Sequence, residues 1–198
     1  MRITGGIFRG QQIKAPKSNC RPTQDMVREA LFSMLADRVN GASFLDLFAG
    51  SGAVGLDAAS RGARLVCWVD SDRRTLGLLK ENVERICGKG QNQESDPVVK
   101  FFGGDAIGFL KKGLESQQFD LIFADPPYDR DEKKGWLGKI LDVLACGSML
   151  APGGVFVMEQ SADEHFEENA GWVLIKDKKY GSTRLRFFMR KETGGCSK

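Results

Sequence analysis

The sequence holds a single histidine, His165, among its 198 residues. A Ser-His-Asp or Cys-His triad would have to use it, and a metal centre of several histidines is excluded. It stands in the polar run Ser161-Ala162-Asp163-Glu164-His165, where a solvated surface position is expected. The five cysteines, Cys20, Cys67, Cys87, Cys146 and Cys196, are odd in number, and no two have metal-ligand spacing. They read as free thiols of a reducing compartment. No apolar run approaches the ~18 residues of a membrane helix. The opening Met1-Arg2-Ile3-Thr4-Gly5-Gly6 lacks the apolar centre of an export signal. These absences lead us to expect a cytoplasmic protein with no metal and no membrane partner.

What is present suits one folded domain. Apolar residues make up 41% and charged residues of both signs 28%, which excludes a disordered chain. The net charge of +3 is unevenly spread. Residues 1–40 carry seven basic and three acidic side chains, residues 176–191 seven basic and one acidic, and the remainder a net −7. Basic ends on an acidic body suit a polyanion. The ends contain arginine as well as lysine, with Phe8, Tyr180, Phe187 and Phe188 interleaved. Arginine forks phosphate and stacks on bases, which points to nucleic acid.

Periodicity divides the chain into an arm and first helix (1–40), a main domain (41–192) and a tail (193–198). Short strands are expected at residues 2–4 and 11–13. A helix is expected over 24–39, capped by Thr23, with Val27, Leu31, Met34 and Leu35 on one face. Strands then alternate with helices. The strands are expected at 43–48, 65–69, 98–102, 119–124 and 154–158. The helices are expected at 53–61, 72–86, from the third strand to about 114, and at 135–145. A polar loop spans 88–96. Two last strands, 172–175 and 184–189, are close enough to form an antiparallel hairpin. The expected fold is α/β: a mostly parallel sheet with helices on both faces.

In such a sheet, ligands bind outside the carboxyl ends of the strands. The first strand ends in Asp46-Leu47-Phe48-Ala49-Gly50-Ser51-Gly52-Ala53-Val54-Gly55. Gly50, Gly52 and Gly55 fit G-x-G-x-x-G, and Asp70 follows Gly50 by twenty residues, placed to accept ribose hydroxyls. These features alone suit a nicotinamide dinucleotide and S-adenosylmethionine equally. Asp46 tips the balance, because a carboxylate there repels a pyrophosphate and suits a sulfonium and an ammonium. Asp105 ends the third strand, as an acceptor for an adenine amine or as a helix cap. The fourth strand ends in Asp125-Pro126-Pro127-Tyr128. Two prolines fix the backbone, so the Asp125 carboxylate and the Pro126 carbonyl can receive an exocyclic amine. Tyr128 offers a flat face to a flipped base.

Together these motifs resemble the class I S-adenosylmethionine-dependent amino-methyltransferases. Arg2, Ile3 and Gly5 leading to Arg9-Gly10, then Arg21-Pro22-Thr23 and Arg28-Glu29-Ala30-Leu31-Phe32, resemble the opening signature of the RsmD family. Ser60-Arg61-Gly62-Ala63 and Tyr180-Gly181 fit it as well. The resemblance implies a seven-stranded Rossmann-like sheet. It implies methyl transfer to guanine N2 at position 966 of 16S ribosomal RNA, on naked RNA or a small-subunit assembly particle, by a monomer. By the same resemblance Asp46, Phe48, Gly50, Gly52, Asp70 and Asp105 hold the cofactor. Asp125, Pro126 and Tyr128 are catalytic, and Arg9, Arg21, Arg28, Lys178, Tyr180 and Arg184 face RNA. Adenine N6 in DNA or RNA is the nearest alternative target. A non-catalytic RNA-binding assembly protein is a third reading, against which the intact Asp125–Tyr128 run argues.

Overall fold

Continuous apolar strands have two faces to bury, and helices from both sides bury them. The structure, a computed structural model, describes residues 1–15, 22–88, 97–114, 117–127, 135–166 and 169–191. Among these run α1 (Pro22–Leu35), β1 (Ser43–Leu47), α2 (Ala53–Ser60), β2 (Leu65–Asp70) and α3 (Arg73–Cys87). They are followed by β3 (Val98–Gly103), α4 (Ala106–Lys112), β4 (Phe119–Ala124), α5 (Trp136–Cys146), β5 (Leu150–Ser161), β6 (Trp172–Tyr180) and β7 (Thr183–Arg190). The strands form one sheet in the order β3-β2-β1-β4-β5-β7-β6. β1 to β5 pair in parallel, and β7 pairs antiparallel with both β5 and β6. The mostly parallel sheet and its antiparallel terminal hairpin are therefore as expected.

Alternation along β1 shows how the layers are made. Phe44 enters one apolar core with Leu31 of α1, Leu56 of α2 and Leu79 of α3. Leu45 and Leu47 enter the other with Leu110 of α4 and Leu141 of α5. The N-terminal arm packs on the first core through Ile3 and Ile13. Its two expected strands shorten to one antiparallel bridge, Arg2 to Gln12.

The spans of α1, β5 and β6 differ from expectation. α1 begins at Pro22, so Thr23 lies within the helix and not ahead of it. Proline suits a first turn, where its missing N–H has no helical partner. The α-helix stops at Leu35 because Ala36 adopts a φ of 46°, and a single 3-10 turn follows over Ala36–Arg38. β6 outruns its expected span because residues 176–180 still find ladder partners on β7, and β5 does so through Glu159, Gln160 and Ser161, which pair with β7 as well. The tail and nearly all of the polar 88–96 loop lie outside the described residues.

Candidate active site

β1 lies between β2 and β4, so the chain departs in opposite directions on its two sides. The carboxyl ends of the strands there leave a crevice between the diverging loops. A cleft of about 740 Å³ occupies it. Its walls include Asp46 on β1 and Phe48 to Ser51 after it, Asp70 at the end of β2, Asp105 after β3, Asp125 to Pro127 after β4, and Trp136.

The glycine loop has specific steric reasons. Gly52 takes a φ of 80°, and a Cβ on it would stand 2.8 Å from the Leu79 side chain. At Gly55 a Cβ would fall 2.2 Å from Trp68 Nε1, so only glycine lets β2 carry that indole against α2. Phe48 holds a φ of 59°, a strained conformation for an aromatic residue. Its ring meets Trp136 edge-on, with centroids 5.1 Å apart. Both rings line the cleft.

Four carboxylates surround this loop. Asp46 points from the middle of β1 toward α2 and is 2% exposed; its Oδ2 accepts the Gly55 N–H at 2.9 Å. Burial pushes its carboxyl well above the usual range. The Gly55 N–H pulls the other way, while Asp125 and Asp70 add to the rise. Asp125 keeps partial exposure to the cleft, yet burial of its surroundings raises its carboxyl to about 7. Asp70 pins the glycine loop: Oδ2 accepts the Gly50 N–H and Oδ1 the Asp72 N–H, each at 2.8 Å. Each oxygen retains a second lone pair for a ligand hydroxyl. Asp105 caps α4 through Gly108 N–H at 2.7 Å, and it also lines the cleft. Cap and wall are thus one residue.

The residues expected to face RNA separate into groups. Arg9 and Lys178 are exposed. Tyr180 is half-buried against the first core. Arg184 lies against Asp177, with both carboxylate oxygens 2.9 Å from Nη1. Arg28 is a correction: it is buried, not on the surface, because Asp25 and Asp57 draw its guanidinium inward. The basic stretch 176–191 is likewise partly internal. Arg186 donates to Gln160 and to the Glu164 carbonyl, and Arg190 to the carbonyls of Leu144 and Gly147. Tyr128 and Arg21 lie outside the described residues.

Sequence reasoning missed Trp136 and Glu159 as cleft residues. An aromatic side chain soon after Asp-Pro-Pro-Tyr was the available signal for Trp136. Nothing in the spacing marks Glu159, which arrives through the β4–β5 pairing. A wider depression of about 1030 Å³ lies between residues 162–166 and the β6–β7 hairpin. Its arginines Arg184 and Arg186 are already paired with Asp177, and the glycine loop does not reach it.

A seven-stranded sheet of this order, with a glycine loop after β1 and Asp-Pro-Pro after β4, is the class I methyltransferase fold. Residues 1–189 match the family described as Conserved hypothetical protein 95, and the chain belongs to this family, the RsmD family. It is 31% identical to ribosomal RNA small subunit methyltransferase D of Escherichia coli strain K12, over 98% of this chain and 92% of that protein. To the protein of the same name from Haemophilus influenzae it is 28% identical, over 95% and 93%. A solved structure of a putative methyltransferase from Escherichia coli superposes with a TM-score of 0.79 at 31% identity, covering 96% of this chain and 98% of that one.

Proposed function

We propose that this protein methylates the exocyclic N2 of guanine 966 in 16S ribosomal RNA. The cofactor is S-adenosylmethionine. The residues present fit it: the cleft gathers carboxylates that burial disfavours as free anions, and a cationic ligand relieves that cost. The glycine loop gives close backbone approach. Asp70 and Asp105 retain acceptor capacity for hydroxyls and an amine.

When bound, the cofactor supplies a methyl group already electrophilic on its sulfonium sulfur. The protein therefore has to place an amine and keep its lone pair free. A guanine N2 lone pair is delocalised into the ring. Acceptance of its two N–H groups by the Asp125 carboxylate and the Pro126 carbonyl favours a pyramidal nitrogen and stabilises its developing charge. A carboxyl raised to about 7 is also suited to take up the amine's proton near neutrality. Phe48 and Trp136 offer ring surfaces at the cleft wall on which a base can stack.

The observation that carries the reading is the convergence of Asp125 and Pro126 with the glycine loop and Asp46 in one cleft. The test is labelled S-adenosylmethionine with bare ribosomal RNA, partly assembled small subunits and DNA, followed by nucleoside mass spectrometry. N2-methylguanosine from either RNA substrate is expected. Label in N6-methyladenine, or in DNA alone, would overturn the assignment.

A further inference from the structure

Six charged side chains line the cleft among the described residues. Five are acidic, Asp46, Asp70, Asp105, Asp125 and Glu159; the sixth is Arg28. The amino-acid end of the cofactor brings an ammonium and a carboxylate into this setting. Acceptors for the ammonium abound. For the carboxylate the lining offers one cationic side chain, Arg28, beside the α-ammonium of Met1.

Arg28 has capacity for it. The residue is 4% exposed. Nη2 donates to the Arg2 carbonyl at 2.7 Å and to Asp25 at 2.6 Å. Nη1 stands 3.3 Å from Asp57 Oδ2 without hydrogen-bond geometry, and Nε has no hydrogen-bond partner among the described residues. Asp57 is already held by Arg61 at 2.6 Å and by the N–H and O–H of Thr4 at 2.8 Å each. The Arg28 guanidinium is therefore buried, charged and incompletely bonded at the cleft wall. It also lies near enough to Asp46 to favour that group's ionised form. A guanidinium matches the planar fork of a carboxylate better than any other side chain does.

We propose that Arg28 is a cofactor-binding residue that receives the α-carboxylate of S-adenosylmethionine. The assignment rests on the methyltransferase reading above. It gives the buried Arg28 a task in the cleft instead of on the RNA-facing surface.

The test compares two ligands by calorimetry without RNA: S-adenosylhomocysteine, and the same thioether with its carboxylate replaced by hydrogen. Wild type is expected to prefer the carboxylate form by about 10- to 100-fold, the range for a hydrogen bond to a charged group. Arg28→Gln should collapse that preference to near unity and leave affinity for the truncated ligand within about twofold. Arg28→Lys keeps the charge but loses the fork, so its preference should fall between the two. If Arg28→Gln fails to fold, the lysine variant decides. Equal losses for both ligands would make Arg28 purely structural and overturn the proposal, as would an unchanged preference. Wild type binding neither ligand would refute the cofactor reading itself.

Discussion

Two buried carboxylates meet the same short helix, α2, and their surroundings could hardly differ more. Asp57, fully buried within α2, accepts from Thr4 N–H, Thr4 O–H and Arg61, with Arg28 beside it. Asp46, on β1, accepts from one α2 backbone N–H, at Gly55, and its charged neighbours are mainly other carboxylates. The first arrangement compensates a buried charge with donors and cations, and so clamps the arm to the sheet. The second leaves the compensation incomplete, which is how a site is prepared for a cation from outside. Burial alone does not distinguish a structural acid from a binding one. The partners do.

The comparison breaks most readily at the clamp. Asp57→Ala leaves Arg28 and Arg61 facing one another with less compensation and frees Thr4. Removing one partner of a buried pair typically costs about 3–5 kcal/mol. Denaturant unfolding should show that loss. A cost below about 1 kcal/mol would mean that the arm is held by its other contacts, Ile3 and Ile13 in the core and the hydrogen bonds of Phe8 to Ser60 and Lys14 to Asn82 among them.

On the cleft side the expected loss is kinetic. Asp125→Ala should keep the fold and bind cofactor and RNA nearly as wild type does, because its acceptor matters most when charge builds on the amine. Loss of one such electrostatic partner costs about 10²–10³ in turnover. Single-turnover methylation at saturating cofactor and RNA measures it. A rate within about threefold of wild type would reduce Asp125-Pro126-Pro127 to a rigid turn.

A smaller effect of opposite sense concerns stability. Burial raises the carboxyls of Asp46 and Asp125, the latter to about 7, above an unfolded value near 4. Between those values the folded state keeps protons that the unfolded chain has released. The contribution of Asp125 to stability is therefore complete below about pH 4 and is lost as pH rises through about 7, and that of Asp46 falls with rising pH in the same sense. The ligand-free protein should melt at a lower temperature at about pH 8 than at about pH 5, with Asp125 contributing on the order of 2–3 kcal/mol. Asp125→Ala should flatten the slope. A melting temperature that rises across this window would show that both acids are ionised in the folded protein, and the contrast with Asp57 would go.

The cleft was readable from the sequence to the extent that backbone geometry dictates it. Gly52 and Gly55 are forced by Leu79 and Trp68, and Asp125 is forced by its place after a buried strand and before two prolines. The strand and helix alternation set the sheet, and β4 matches its expected span. Long-range partners were not readable. Arg28 resembles any basic residue of a basic arm until Asp57, twenty-nine positions later, is seen beside it. Arg186 and Arg190 counted toward an external positive surface, yet the chain uses them to tie carbonyls and side chains. A charge count in sequence cannot separate a cation that meets a partner molecule from one that meets its own fold.

That distinction yields the mildest prediction, which concerns RNA. Exposed Arg9 and Lys178 form no ion pair among the described residues, so each is free to neutralise a phosphate. Arg184 is already engaged by Asp177, with side chains 26% and 28% exposed. A phosphate contact contributes about 0.7 to 0.9 to the log–log slope of affinity against salt, the lower figure applying to single strands. Arg9→Ala and Lys178→Ala should each flatten the slope by about that amount, with little change in melting temperature. Arg184→Ala should flatten it less, since the freed Asp177 adds a negative charge at the same place. Titrations of ribosomal RNA at several salt concentrations measure all three. If the Arg9 and Lys178 variants kept the wild-type slope, the exposed cations of the arm and hairpin would be ordinary solvated charge. The contrast between inward and outward arginines would then describe folding alone, with RNA held by the cleft and by surfaces of other composition.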